Sequence, residues 1–169
     1  ATAEVMTEDG GFRTGDLGRL DDGFLMITGR VKEQFKLQNG KYVAPSPLEE
    51  SLKLSALVEQ CCVDGSNKVR TFTILHPNEY ALRDALKAAG LNSSGELSDL
   101  CAAEEVRAFV LKSLTEEIMG PNWKGFEISG SVILDPEEWT TGNEMITPSL
   151  KVKRSALFTK HKEAIDSHN

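Results

Sequence analysis

Residues 29–52 read GRVKEQFKLQNGKYVAPSPLEESL, and this passage changes from strand-like to helical signals within a few residues. Phe35 and Leu37 are apolar anchors on either side of Lys36, Lys32 and Lys36 stand one helical spacing apart, and Asn39-Gly40 is a type I′ turn signal. The result is a short, strongly bent loop ringed by cations. Such a loop suits contact with phosphate; a solvated basic hairpin is the bland alternative. Immediately downstream, Ser46 as cap, Pro47 as first helical residue and Glu49 and Glu50 in the first turn predict a helix carrying Leu48, Leu52 and Ala56 on one side.

Toward the N-terminus the pattern is β. Apolar runs at 12–20 and 24–28 flank Asp21-Asp22-Gly23, a strong hairpin signal, and glycines at 10, 11, 15, 18, 23 and 29 add tight turns. An isolated hairpin is marginal in water, so this piece is expected to belong to a larger neighbouring domain. Toward the C-terminus, strands are expected at 57–63 and 69–76 around the turn Asp64-Gly65-Ser66-Asn67, with Phe72 and Ile74 on one face and Thr71 and Thr73 on the other. A short helix over 79–89 ends at Gly90. A long helix over 99–119 is capped by Ser98, carries an apolar stripe from Leu100 to Ile118 and stops at Gly120-Pro121. A third strand over 126–134, a loop over 140–148 and a final helix over 155–165 complete an α+β reading, a small domain with a roughly three-stranded sheet flanked by helices.

Composition bounds the function. With 169 residues, 40% hydrophobic and 27% charged, the chain is of ordinary globular type and about one domain in size. No apolar run reaches the length of a membrane span, and Ala1–Gly10 lacks the basic start and apolar stretch of a signal peptide. The formal charge of −7 argues against a general nucleic-acid binder, which needs excess cations to displace phosphate counterions. Cys61, Cys62 and Cys101 make no disulfide framework and read as reduced thiols of an intracellular protein. His76, His161 and His168 are too scattered for a zinc site, and no metal ligand is expected.

Two further clusters could carry chemistry. In Phe12-Arg13-Thr14-Gly15-Asp16 an acid stands at a glycine-flanked strand end, where it can accept hydrogen bonds from vicinal hydroxyls such as those of a ribose, or merely stabilise a turn. In Thr147-Pro148-Ser149-Leu150-Lys151-Val152-Lys153-Arg154 a rigid entry leads into alternating cations, readable as presented lysines or as plain surface.

Taken together and in order, these motifs resemble the C-terminal end of the adenylate-forming superfamily, which includes acyl-CoA synthetases, firefly luciferase and peptide-synthetase adenylation domains. The pairing of FKL-x-x-G-x-Y-V-A-P with a late T-P-x-x-K-x-K-R is most similar to long-chain fatty acyl-CoA synthetases. The resemblance implies that residues 1–31 are the end of a large N-terminal adenylation domain and 32–169 a mobile C-terminal lid. It implies that Asp16 holds the ribose hydroxyls of ATP and AMP, that Arg30 contacts ribose or phosphate, and that Lys32 is the hinge, where many relatives have Asp. Lys36 and Gly40 then lie on the loop facing the site during thioester formation with coenzyme A, and Lys151 is the lysine that catalyses adenylation. Leu150 replaces a Gly common in relatives, and Lys41 and Ser46 stand where long-chain enzymes often have Glu.

The implied activity is that of an AMP-forming long-chain fatty acid–CoA ligase, with ATP and Mg2+ bound mainly by the N-terminal domain, which carries the phosphate loop and acyl pocket. This stretch alone is expected to be inactive. Its expected partners are that domain, the fatty acid, ATP and CoA; no nucleic acid is expected, and membrane association is left open, being not encoded here. The expected location is cytoplasmic or at the cytoplasmic face of an organelle. Two alternatives are a non-catalytic relative acting as an interaction or regulatory module, and a synthetase for another carboxylic acid. Retention of Asp16, Arg30, Lys36 and Lys151 together favours the ligase.

Overall fold

A computed structural model describes residues 5–167, so His168 and the first four residues of the signal-peptide reading lie outside the described residues. The N-terminal hairpin pairs β1 (Asp16–Asp21) with β2 (Phe24–Arg30), and its turn has positive φ at both Asp22 (+48°) and Gly23 (+84°). That is the backbone a type I′ turn requires. The register slips at Leu17/Gly18. Leu20, Phe24, Leu25 and Ile27 remain exposed, which is unusual for a hairpin with a settled place in a core.

A 3₁₀ turn (Val31–Glu33) leads to the second hairpin, β3 (Phe35–Lys36) with β4 (Tyr42–Val43). Here the expected type I′ turn does not form. Gly40 has φ of +83°, but Asn39 is not among the residues with positive φ; Gly40 N–H donates to Leu37 O and Leu37 N–H to Lys41 O, each at 2.9 Å. This is a turn followed by one left-handed residue, the three-residue hairpin loop. The hairpin is pinned to the turn 64–67: Asn67 N–H donates to Lys36 O and Gln38 N–H to Lys68 O. At Gly65 a Cβ would come within 2.9 Å of both Leu37 Cδ2 and Thr71 Cα, so only glycine permits this approach.

The helix α1 (Pro45–Leu52) begins earlier than expected, with Pro45 in its first turn and Ala44 at the cap position. Ser46 is not the cap; its hydroxyl donates instead to Glu33 Oε2 at 2.9 Å. The central sheet comprises β5 (Val58–Asp64), β6 (Phe72–Pro77) and β7 (Ser131–Leu134), ordered β5-β6-β7, with the first pair antiparallel and the second parallel. Strands β6 and β7 are shorter than expected at their starts. Residues 69–71 and 126–130 are loop, secured by Thr71 Oγ1 donating to Glu127 O and by the Thr73–Ser129 hydroxyl pair.

Between β6 and β7 the chain forms α2 (Glu79–Ala88), capped by Asn78 accepting from Ala81 N–H, then α3 (Leu97–Ala102) and α4 (Glu104–Leu114). The single helix expected over 99–119 is broken at Ala103, whose ψ of 128° is extended, and Arg107 donates to the Ala102 carbonyl freed by the break. Ser98 is not its cap; α3 starts after Glu96. Beyond α4 a π-helical turn (Thr115–Met119) carries the chain through Gly120–Asn122, so Gly120-Pro121 does not end the helix. The C-terminus holds α5 (Arg154–Lys160) and α6 (Lys162–Asp166), two segments parted at His161 where one was expected.

Alternation along the strands sorts the core into two layers. Cys61, Val63, Leu75, Val132 and Leu134 face α1–α4, meeting Leu52, Leu82, Leu86, Val110 and Leu114. Cys62, Phe72 and Ile74 face Trp139 and Leu157 on the other side. The three cysteines are free and buried, and burial pushes the Cys61 thiol up to about 12 and that of Cys101 up to about 11. They are unreactive at neutral pH.

Candidate functional site

The structure distributes the expected site residues over three loops. Asp16 and Arg30 are direct partners across the first hairpin, and Arg30 Nε lies 3.1 Å from Asp16 Oδ1. Opposed register positions make this pair, so the hairpin itself holds the carboxylate and guanidinium together. They line a cleft of about 440 Å³ with Gly29, Glu33, Ser46 and Glu50. Lys32 is exposed in the 3₁₀ turn that directly follows, the single short connection from the first hairpin to the rest.

Lys36 and Gly40 sit on the second hairpin. The Lys36 ammonium lies 5.7 Å from the centre of the Tyr42 ring, its cross-strand partner, and Gly40 takes the left-handed position.

Lys151 occupies a separate loop. Ile146 and Val152 form a β-bridge that closes it, Thr147 N–H donates to Lys151 O at 2.8 Å, and Thr147 Oγ1 accepts Lys151 N–H at 3.1 Å. The side chain is exposed, and among the described residues nothing is hydrogen-bonded or ion-paired to its ammonium. Leu150, just before it, is held at φ of +60° and is 76% exposed. A leucine there is strained, and packing does not compensate. Leu150→Val, which brings a β-branched residue to a left-handed position, should therefore be less stable than Leu150→Gly by about 1–2 kcal/mol in urea unfolding. Equal stability would mean the left-handed turn is dispensable.

What holds the Lys151 loop in place was not foreseen from the sequence. Arg154 donates to Val63 O at 2.8 Å and pairs with Glu49, and Glu49 Oε1 also accepts Val63 N–H at 2.8 Å. The last residue of the K-x-K-R run thus ties the loop to α1 and β5, an arrangement only three-dimensional proximity reveals. A second unforeseen cluster is centred on Asp135, fully buried and accepting from Trp139 Nε1, His161 Nε2 and Lys160 Nζ, each at 2.9 Å. Burial opposes its charge, but the donors from His161, Lys160, Trp139 and the Glu137 N–H outweigh that and hold the carboxyl well below its usual range.

No group of three or more His, Cys, Asp or Glu among the described residues is placed to hold a metal ion. No helix among them is long and apolar enough to cross a membrane.

No family model matches the chain. Among curated proteins it is 35% identical over 167 residues to long-chain-fatty-acid–CoA ligase 1 of Schizosaccharomyces pombe, covering 97% of this chain and 25% of that protein. It is 36% identical over 159 residues to long-chain-fatty-acid–CoA ligase 5 of Mus musculus, covering 92% of this chain and 23% of that protein. The chain thus spans about a quarter of the length of the curated relatives it matches. Among solved structures, the adenylation domain of a carboxylic acid reductase from Segniliparus rugosus, in complex with AMP and a co-purified carboxylic acid, superposes with a TM-score of 0.76 at 25% identity, over 98% of this chain and 24% of that one.

Proposed function

We propose, from the 35% identity of this chain with a quarter of a long-chain-fatty-acid–CoA ligase and the order of its motifs, that it is the C-terminal part of such an enzyme: a mobile lid, residues 32–169, preceded by the closing hairpin of the adenylation domain, residues 1–31. The observation that carries this reading is Lys151: an exposed ammonium, unpartnered among the described residues, on the closing strand of a tight turn that Arg154 and Glu49 lock to the core. Exposed apolar residues on the first hairpin support its packing against a larger domain.

In the first half-reaction an oxygen of the fatty carboxylate attacks the α-phosphorus of ATP, and the bond to pyrophosphate breaks. Charge builds on the transferring oxygens, and Lys151 is placed to bridge carboxylate and phosphate, attracted most strongly when that charge peaks. Asp16 accepts the ribose hydroxyls, and Arg30, paired with it, approaches ribose or phosphate. The lid then turns about Lys32, withdrawing Lys151 and bringing the Lys36–Gly40 hairpin to the acyl-adenylate. The CoA sulfur attacks the carbonyl carbon, the carbon–oxygen bond to phosphate breaks, and AMP leaves while the thiol proton passes to solvent. Mg2+ accompanying ATP would take its protein ligands mainly from the larger domain, which is proposed to carry the phosphate loop.

Lys32→Pro tests the pivot. Proline fixes φ and disfavours the helical backbone of Val31, which belongs to the 3₁₀ turn. In the full-length chain this should slow thioester formation by about 10²-fold, the effect of misplacing reacting groups, while fatty-acid-dependent pyrophosphate exchange is largely kept. Unimpaired thioester formation would exclude Lys32 as the hinge.

A further inference from the structure

The helix α1 is bonded at two successive levels. In its first turn the Ser46 hydroxyl donates to Glu33 Oε2 at 2.9 Å, and Glu33 stands next to Lys32 in the 3₁₀ turn. One turn later Glu49 pairs with Arg154, the first residue of α5. A single short helix thus connects the turn bearing Lys32 to the segment bearing Lys151.

The Arg154 guanidinium is shared three ways. Nη2 donates to Glu49 Oε1, while Nη1 donates to Val63 O at 2.8 Å and to Cys62 Sγ at 3.1 Å. Burial pushes the Cys62 thiol up, so the sulfur is a neutral acceptor and Glu49 supplies the opposing charge. Glu49 Oε1 also accepts Val63 N–H at 2.8 Å, so both main-chain polar groups of Val63 are committed to the pair. The side chains of Glu49 and Arg154 are only 15% and 28% exposed. In that setting a planar fork with donors on two nitrogens holds one orientation, which the point charge of a lysine does not.

Arg154 and Lys151 are three residues apart, and the backbone between them has little slack. Lys153 N–H donates to Met145 O and Thr147 N–H to Lys151 O, each at 2.8 Å, with the Ile146–Val152 bridge in between. Ile146 and Val152 rest on the layer of Cys62, Trp139 and Leu157. Apolar contact of this kind seats the loop but is non-directional. The direction of the loop relative to α1 and β5 comes from the bonds of Arg154. The second hairpin is held otherwise, by the turn 64–67 through Lys36 O and Gln38.

We infer that Glu49 and Arg154 are positioning residues for adenylation, holding the Lys151 loop in one direction relative to α1 and the Lys32 turn. The inference rests on the role proposed for Lys151 and adds the residues through which that lysine is aimed. Neither side chain needs to touch a substrate.

The test uses the full-length chain. Arg154→Lys keeps the charge and loses the fork, and Glu49→Gln keeps an acceptor for Val63 N–H and loses the charge. Each should lower kcat for fatty-acid-dependent pyrophosphate exchange by about 10–10²-fold, the cost of a small misplacement, with KM for ATP little changed. Thioester formation from supplied acyl-adenylate, measured on the same samples, should be largely kept. In a Lys151→Ala background, adding Arg154→Lys should change the residual exchange by less than about two-fold, because a residue that acts through Lys151 has nothing left to aim. Equal losses in both half-reactions for both variants, or an Arg154→Lys loss that multiplies in full with that of Lys151→Ala, would overturn the inference and leave the ligase reading intact. A wild-type chain without fatty-acid-dependent pyrophosphate exchange would overturn both.

Discussion

Lys151→Ala in the full-length chain is expected to lower fatty-acid-dependent exchange of pyrophosphate into ATP by about 10²–10³-fold, the usual loss when a charge-stabilising donor is removed from a transition state. Thioester formation from supplied acyl-adenylate should fall only slightly, because that step is proposed to proceed with Lys151 withdrawn. The split distinguishes catalysis from folding. Lys151 is exposed and unpartnered among the described residues, so its removal leaves no buried group unsatisfied, and general destabilisation would damage both half-reactions together. Lys151→Arg should recover little, since a planar fork does not reproduce the compact charge of an ammonium between two acceptors. Adenylation at a near-normal rate in Lys151→Ala would show that another group carries the step.

The second large effect is on stability. Asp135 is fully buried and joins the end of β7 to Trp139 and to both Lys160 and His161 at the junction of α5 and α6. Asp135→Ala strands those donors in or near the core and should cost about 3–5 kcal/mol, the range for breaking a buried charged network. The pH dependence has a defined sign. The carboxyl is held below its ordinary value in the folded chain. Its contribution is therefore complete above the unfolded value, near 4, and declines as pH falls toward the folded one. Through the titration of this carboxyl, the gap in unfolding free energy between wild type and Asp135→Ala should narrow below about pH 4. A gap of less than about 1 kcal/mol at pH 7, or one that fails to narrow below about pH 4, would contradict the role assigned to this cluster.

Asp22-Gly23 and Asn39-Gly40 carry the same kind of signal, yet only the first becomes a type I′ turn. The second hairpin is clamped by the turn 64–67 through Lys36 O, Gln38 N–H and Gln38 Nε2, and tertiary bonds of that kind override a dipeptide preference. The apolar stripe from Leu100 to Ile118 keeps its period through Ala103, so nothing local announces the break. Two shorter helices both pack against β7, which one straight helix would not do. The strands, the two-sided core and the cation-bearing loops were readable because they depend on alternation and spacing. The Glu49–Arg154 tie and the Asp135 cluster were not, because each joins residues far apart in the chain. The 35% identity to long-chain-fatty-acid–CoA ligase 1 of Schizosaccharomyces pombe agrees with the resemblance carried by FKLQNGKYVAP and TPSLKVKR, motifs on the second hairpin and the Lys151 loop.

The central claim is that one lid presents two loops in turn by rotating about Lys32. The most direct measurement is the distance between spin labels at Arg19→Cys on the first hairpin and Glu163→Cys on α6 in the full-length chain, read by pulsed electron resonance. Cys61, Cys62 and Cys101 are buried and will not compete for label. With ATP and fatty acid one distance should dominate, and once acyl-adenylate has formed and CoA is added the population should pass to a second, clearly separated distance. A single distance that persists through both half-reactions would contradict the account.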